Sequence, residues 1–285
     1  MAAAVEEADA LAATYRAEGC VFPIRLFADD DAGLDDLDAL CTQLVEGRPK
    51  NLASEDLLNL HWTVPEVLRA CRRPDFLRVA RTLLDTDDVS VFTSRILCKL
   101  PRTGKEIVWH QDSNYWPLVP PGHATIAPKV CSIWLALDDV TEDNGPMEVL
   151  PFSAQPESRG RSVDELVVDA GGDTSGYDNF NLSLDASKLN LRGSRKVLLT
   201  RGEAEAHSAW TIHRSAPNAS DRRRMVFIVR YCPTGTAVVP GVRGSFDADF
   251  PLCCVAGAGA TDAVVSPKAP RYAPCFGNAV AALKK

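Results

Sequence analysis

A mainly β fold with helical additions is predicted by three features of this 285-residue chain. From Val89 onward, runs rich in β-branched and aromatic residues alternate with Gly/Pro/Asn turn clusters, the pattern of a β-barrel or sandwich. Before Val89, apolar residues recur at helical spacing instead. The length suits one all-β core with additions, so a single domain over 1–285 is expected: 1–88 mainly helical, 89–235 the β core, 236–285 a C-terminal extension.

Taken in order, Val5, Ala8, Leu11, Ala12 and Tyr15 fall on one helical face and Gly19 follows as a stop, which predicts a helix from Ala4 to Glu18. A short strand is predicted from Cys20 to Phe27. Further helices are predicted over Asp35–Val45 and Pro65–Leu84, with Pro74 breaking the second stretch in two. Strands are predicted over Val89–Leu100, Ile107–Asp112, Val130–Leu137, Met147–Leu150 and Arg224–Cys232. The turns Pro101-Arg102-Thr103-Gly104 and Glu142-Asp143-Asn144-Gly145-Pro146 punctuate them. The polar Gly/Asp/Asn-rich segment 160–195 is too long for a plain hairpin and is expected to be a lid or substrate loop. After Pro240 the periodicity is too weak to assign.

Composition narrows the function. With 46% hydrophobic and 24% charged residues the chain is an ordinary globular protein, so disorder is expected only at the ends. The net charge is −7, and the acids crowd the first third (Glu6, Glu7, Asp9, Asp29–Asp31, Asp35, Asp36, Asp38). Such a surface repels phosphate backbones, and Arg222-Arg223-Arg224 is too short to be a basic footprint, so no nucleic-acid partner is expected. Nine cysteines, an odd count without a Cys-x-x-Cys pair, and an acidic N-terminal stretch unlike a secretory signal predict reduced thiols and a cytoplasmic location. Cys98, Cys131 and Cys232 lie in apolar runs and are expected to pack as small hydrophobes. No apolar stretch approaches the roughly 20 residues that span a bilayer, so no membrane association is expected. The C-terminal Ala-Leu-Lys-Lys is not a peroxisomal address. Oligomeric state is open between monomer and homodimer.

The chemistry centres on Trp109-His110-Gln111-Asp112. Two imidazoles and one carboxylate on one face of a metal form the non-haem iron(II) triad, which leaves positions for cosubstrate and oxygen. His-x-Asp supplies two of the three because residues i and i+2 of a strand point to the same side. Chance produces this tripeptide too. Context gives it weight: His110 ends an apolar strand, and Asn114-Tyr115-Trp116-Pro117 puts aromatic bulk beside the ionisable pair. His61, in the helical third, and His123, in a Pro-Gly loop, are expected to be structural. The third ligand lies between His207 and His213. His213 is favoured, because the turn Arg214-Ser215-Ala216-Pro217-Asn218 leads from it into the strand near Arg224; His207 is expected to pack or hydrogen-bond in the core. Arg224 opens the run Met225-Val226-Phe227-Ile228-Val229, so its planar fork enters an apolar barrel, where an anion is needed to offset its burial. Arg222 and Arg223 are expected to be solvated at the strand's edge.

These segments resemble the phytanoyl-CoA dioxygenase-like family of Fe(II)/2-oxoglutarate oxygenases, relatives of the ectoine hydroxylases. The resemblance runs through Trp109-His110-Gln111-Asp112-Ser113-Asn114-Tyr115-Trp116, Ile133-Trp134-Leu135-Ala136-Leu137-Asp138-Asp139-Val140, Asn144-Gly145-Pro146-Met147-Glu148-Val149-Leu150-Pro151, and His213-Arg214-Ser215-Ala216-Pro217-Asn218 with Arg224, covering about residues 85–235. It implies a double-stranded β-helix, the jelly-roll barrel shared with cupins, flanked by N-terminal helices. It also implies His110, Asp112 and His213 as iron ligands and catalytic centre, and Arg224, assisted by Ser215, as the grip on the distal carboxylate of 2-oxoglutarate. Lys99 and Trp134 occupy further cosubstrate positions. Thr93, Arg95, Asn114, Tyr115 and Trp116 are the candidate substrate contacts. One departure stands out: where relatives continue Pro-Gly-Ser-His, this chain has Pro151-Phe152-Ser153-Ala154.

The resemblance implies an enzyme using Fe(II), 2-oxoglutarate and O2 to hydroxylate an unactivated C–H bond of a small metabolite, with succinate and CO2 as coproducts. Asp112 argues against halogenation, where the carboxylate is missing so that halide can bind. Desaturation, epoxidation and cyclisation use the same ligands and stay open. Two rival readings remain: a cupin-like isomerase or hydrolase without 2-oxoglutarate, for which Arg224 has no use, and a silent small-molecule-binding barrel.

Overall fold

In a computed structural model, which describes residues 2–27, 30–49, 57–125, 128–154, 167–169, 182–239 and 250–260, helices α1 (Ala2–Glu18), α2 (Asp31–Glu46), α3 (Pro65–Cys71) and α4 (Pro74–Leu84) precede and back two antiparallel sheets. The strands are β1 (Cys20–Arg25), β2 (Leu57–Leu58), β3 (Val89–Lys99), β4 (Ile107–His110), β5 (Leu118–Val119), β6 (Cys131–Ala136), β7 (Met147–Leu150), β8 (Val167–Asp169), β9 (Leu182–Leu184), β10 (Arg195–Val197), β11 (Glu203–Ser208), β12 (Ile212–Ser215), β13 (Arg224–Pro233), β14 (Ala237–Val238) and β15 (Cys253–Ala256). The larger sheet runs β1-β11-β6-β13-β3-β15, with β2 also on β3; the smaller runs β10-β7-β12-β4. The mainly β jelly roll with helical additions is borne out. No helix among the described residues is long and apolar enough to cross a membrane.

Local chemistry explains the helix boundaries. Asp30 caps α2 by accepting from the Gly33 amide at 2.8 Å and also pairs with Arg73 at 2.6 Å, so the helix starts before the predicted Asp35. Proline stands at the first turn of both α3 and α4, where its missing N–H costs nothing. Phe76, Val79, Ala80, Leu83 and Leu84 form the buried stripe of α4. Phe76 meets Phe27 and Phe227 edge to face, which docks α4 on the larger sheet.

That sheet is covered on both sides. Phe92, Ile96, Cys98, Ile133, Leu135, Met225 and Phe227 face the helices, while Leu97, Trp134, Val226 and Ile228 pack with Ile107, Met147 and Val149 of the smaller sheet. Burial on both faces is why β3, β6 and β13 are buried at every position and show no alternation of apolar and exposed residues. Cys98, Cys131 and Cys232 are buried among them, as expected of small hydrophobes. His61 is buried with Nδ1 2.7 Å from Ser94 Oγ, a structural role, and His123 is exposed.

Several expectations need correcting. The strand predicted to reach Asp112 ends at His110, and Asp112 opens a single 3-10 turn through Asn114. Ser215, expected in the turn that follows His213, lies with it within strand β12. Arg223 is not merely solvated: it bonds Asp138, Asp38 at 2.7 Å and Thr42 at 2.6 Å, tying α2 to the sheet, while Arg222 is exposed. The unassigned tail adds β15 to the edge of β3. Of the insertion 160–195, the described parts form the β8–β9 hairpin and lead into β10; residues 160–166 and 170–181 lie outside the described residues, as do 261–285.

Phe152, at the position where the family resemblance implies glycine, sits at φ +65° and is 54% exposed. A left-handed L-residue costs about 1–2 kcal/mol, less the entropy that glycine loses on folding. Phe152→Gly should therefore stabilise the protein by about 0.5–1 kcal/mol, seen as a rise of about 2 °C in melting temperature. Phe76→Ala should destabilise it by about 3–5 kcal/mol in urea unfolding, through lost burial and a residual cavity.

Candidate metal centre

Two neighbouring strands of the smaller sheet bring the imidazoles together. His110 at the end of β4 and His213 in β12 are register partners, and their ring centroids lie 4.2 Å apart. Asp112 joins them from the 3-10 turn, which is pinned by the Ser113 amide donating to Ala209 O at 2.8 Å and by the Gln111 side-chain amide donating to Trp210 O. One ligand atom from each of His110, Asp112 and His213 lies within 4.8 Å of the others, and all three residues are buried.

The protonation pattern suits a cation. His110 Nδ1 is 2.8 Å from Val108 O and His213 Nδ1 is 2.9 Å from Thr211 O. A carbonyl only accepts, so each Nδ1 carries the proton and each Nε2 carries the lone pair that can ligate a metal. Burial lowers the pKa of both rings, holding them neutral; at His213 the neighbouring His110 and His207 add to it. Burial pushes the Asp112 carboxyl up, but the Arg230 guanidinium and the imidazoles of His207, His213 and His110 outweigh it, leaving the group well below the usual carboxylate range. Its Oδ1 faces His110 Nε2 at 3.8 Å, while the buried Oδ2 makes no hydrogen bond. Two neutral imidazoles, one ionised carboxylate and an orphaned carboxylate oxygen fit a divalent transition metal in a two-His, one-carboxylate set.

Both sheets line a cavity that opens to solvent and is walled by His110, His213 and, from β13, Arg224. Arg224 is fully buried, its Nη2 donates to Gly145 O at 2.6 Å, and its guanidinium stacks over Trp134 at 5.2 Å. Lys99 Nζ donates to Ser215 Oγ at 2.8 Å. The predicted cosubstrate residues Arg224, Ser215, Lys99 and Trp134 thus gather at one end. The Asn144-Gly145-Pro146 turn is what delivers the Gly145 carbonyl: Asn144 clasps the Thr141 amide and the Asp139 carbonyl. Gly145 has φ +83°, and a Cβ there would sit 2.7 Å from Ala216 O.

The predicted substrate contacts are less closely gathered. Arg95 lines the cavity. Thr93 meets Arg230, Asn114 is buried in the 3-10 turn, and the half-buried Tyr115 ring stands 6.3 Å from that of His110. Trp116 packs in the core against Phe92, with the Arg230 guanidinium over its ring.

Sequence reasoning missed Glu205 and Arg230. His207 Nδ1 is 2.8 Å from Glu205 Oε2, and His207 Nε2 is 3.7 Å from Asp112 Oδ2. Burial alone would lower the His207 pKa, but the Glu205 carboxylate raises it, to about 9. Burial raises the Glu205 pKa against the opposing pull of His207. Two sequence signals were available: the i, i+2 spacing of Glu205 and His207 in an otherwise small apolar run, and the even spacing that puts Arg230 on the Arg224 face of β13.

Residues 37–226 match the family model described as phytanoyl-CoA dioxygenase (PhyH), and the chain belongs to that family. L-proline trans-4-hydroxylase of Streptomyces griseoviridis is 30% identical over 168 residues, covering 57% of this chain and 61% of that one. The ectoine dioxygenase of Bordetella bronchiseptica is 29% identical over 159 residues, 51% of this chain and 50% of that one. The chain therefore spans about half to three-fifths of the length of these curated relatives. Among solved structures, EctD from S. alaskensis with 2-oxoglutarate and 5-hydroxyectoine superposes with a TM-score of 0.63 at 18% identity over 90% of this chain and 86% of that one. The epimerase SnoN in complex with Fe3+, alpha-ketoglutarate and nogalamycin RO gives 0.61 at 18% identity over 84% and 88%. These likenesses establish the jelly-roll fold.

A divalent ion should bind these three residues and stabilise the native state. Adding Mn(II) or Fe(II) anaerobically should raise the melting temperature, and His213→Ala should lose the shift while keeping the wild-type circular-dichroism spectrum.

Proposed function

We propose that this chain is an Fe(II)/2-oxoglutarate-dependent dioxygenase that hydroxylates an unactivated C–H bond of a small-molecule metabolite, coupled to decarboxylation of 2-oxoglutarate to succinate and CO2. The observation that carries it is the placement of His110, Asp112 and His213 on one side of a cavity whose buried end holds Arg224. A cupin-like isomerase or hydrolase has no use for that arginine, and a silent barrel has no use for two imidazoles held with their lone pairs inward.

His110 and His213 through Nε2, and Asp112 through its carboxylate, would hold the iron. When bound, iron with 2-oxoglutarate and O2 supplies the oxidising power for breaking a C–H bond. The chain supplies position and shelter. Arg224 offers the planar fork for the distal carboxylate of 2-oxoglutarate, with Trp134 beneath it and the Gly145 carbonyl fixing its rotamer. Ser215 stands beside it, steered by the Lys99 ammonium. The apolar stretch of Leu97, Val226 and Ile228 lies between this anchor and the far end of the sheet and keeps water from the reacting atoms.

The substrate belongs to the class of small metabolites, as do the L-proline and ectoine named in two relatives. We assign the whole chain to one dioxygenase domain acting on small molecules rather than nucleic acid or membrane. A cytoplasmic location fits the free cysteines of the described residues, several buried with their pKa raised by desolvation.

Arg224→Lys, which keeps the charge but loses the fork, should weaken 2-oxoglutarate binding by about tenfold or more, as expected for a lost charge-assisted hydrogen bond; anaerobic titration of the visible Fe(II)·2-oxoglutarate band measures this. Asp112→Ala should abolish succinate formation with the fold intact by circular dichroism. Unimpaired succinate release in that variant would refute the ligand assignment.

A further inference from the structure

Arg230 faces the same cavity from the end remote from Arg224. On β13, Arg224, Val226, Ile228 and Arg230 alternate onto the cavity face, and Arg224 and Arg230 lie about 20 Å apart along the strand at roughly 3.4 Å per residue. One carboxylate cannot bridge them. Arg230 belongs to a row across the larger sheet: it is the register partner of Thr93 on β3 and Ser132 on β6, and Ser132 in turn that of His207 on β11. In antiparallel strands such partners share a face.

This row is short of acceptors. Arg230 is 8% exposed and lines the cavity. Of its five donors, one makes a long 3.4 Å bond to Thr93 Oγ1, and the buried Nε makes no hydrogen bond. Its guanidinium rests over Trp116 at 5.1 Å, which fixes its plane. Ser132 Oγ and His207 Nε2 are likewise buried without a hydrogen bond. The nearest carboxylate is Asp112, at 3.6 Å from Nε. Glu205 is committed to His207 at 2.8 Å. If Asp112 gives its charge to a divalent metal, as the dioxygenase reading requires, Arg230 becomes a buried cation whose counter-charge must come from outside the chain.

We propose that Arg230 anchors a carboxylate of the organic substrate, at the end of the cavity remote from Arg224. The proposal rests on the dioxygenase reading and names its substrate class, an organic acid. The guanidinium fork matches a carboxylate in two parallel bonds, and Ser132 adds a donor from the adjacent strand. A monoanion is favoured over a phosphate dianion because it matches the single charge of Arg230, whereas the second charge of a dianion would be buried without a partner. The substrate carbon to be oxidised then lies between the anchored acid and the three metal ligands.

The test uses the full chain loaded anaerobically with Fe(II) and 2-oxoglutarate, and a panel of small acids (L-proline, L-pipecolate, cyclohexanecarboxylate and benzoate), each paired with its carboxamide. Melting-temperature shift and perturbation of the visible Fe(II)·2-oxoglutarate band are read for each. At least one acid should bind where its amide does not, and Arg230→Gln should weaken that acid about tenfold or more while the band still forms. If Arg230→Gln does not fold, Arg230→Lys makes the comparison, with a reduced preference for acid over amide expected. Acid and amide binding alike, no acid binding to the loaded wild type, or undiminished acid binding in the variant would overturn the anchor. So would loss of the band in Arg230→Gln, which would make Arg230 a support for Asp112. Absence of the band in the wild type would instead bring down the dioxygenase reading on which the anchor rests.

Discussion

The antiparallel register that sets His213 of β12 opposite His110 of β4 is the constraint on which the rest of the site depends. Side chains alternate along a strand, so a slip of one residue would turn either imidazole out of the cavity. Backbone carbonyls two residues upstream of each ring then fix which nitrogen is free. The smaller sheet thus provides two ligands by pairing alone. Asp112 needs only the short turn pinned to Ala209 and Trp210.

The larger sheet supplies the opposite wall and has to be buried on both faces to do so. Its outer face carries the α1–α4 layer, with Phe76 wedged against Phe27 and Phe227. Its inner face mixes apolar residues with the buried charges of Arg95, Arg224 and Arg230. Each buried charge is supported rather than simply enclosed: Arg224 by the Gly145 carbonyl and the Trp134 ring, His207 by Glu205, Arg230 by Trp116 and Asp112. Such groups contribute little to stability, because desolvation offsets their attraction. Their placement makes sense for a cavity that receives anions and a cation.

The visible parts of the fold were those whose physics is local. Pro65 and Pro74 mark helix starts by their own geometry, and Val89–Lys99 and Arg224–Pro233 are long enough for their apolar content to stand out. Glu203–Ser208 and Cys253–Ala256 carry no comparable pattern. The first mixes Glu and His with small residues because those two face a polar cavity, and the second is a half-covered edge. Ser215 was expected in a turn because its strand, Ile212–Ser215, is too short to show a period.

The sequence by itself determined the mainly β architecture, the pair His110 and Asp112, and Arg224 as a charge entering an apolar strand, because each is written in residue type and near spacing; for the third ligand it favoured His213 over His207. Tertiary structure alone decided what lies across from what: Lys99 against Ser215, Arg224 under the Gly145 carbonyl, and Thr93, Arg230, Ser132 and His207 in one transverse row. Those neighbours come from strands far apart in the chain, and strand pairing leaves no trace in spacing along the sequence.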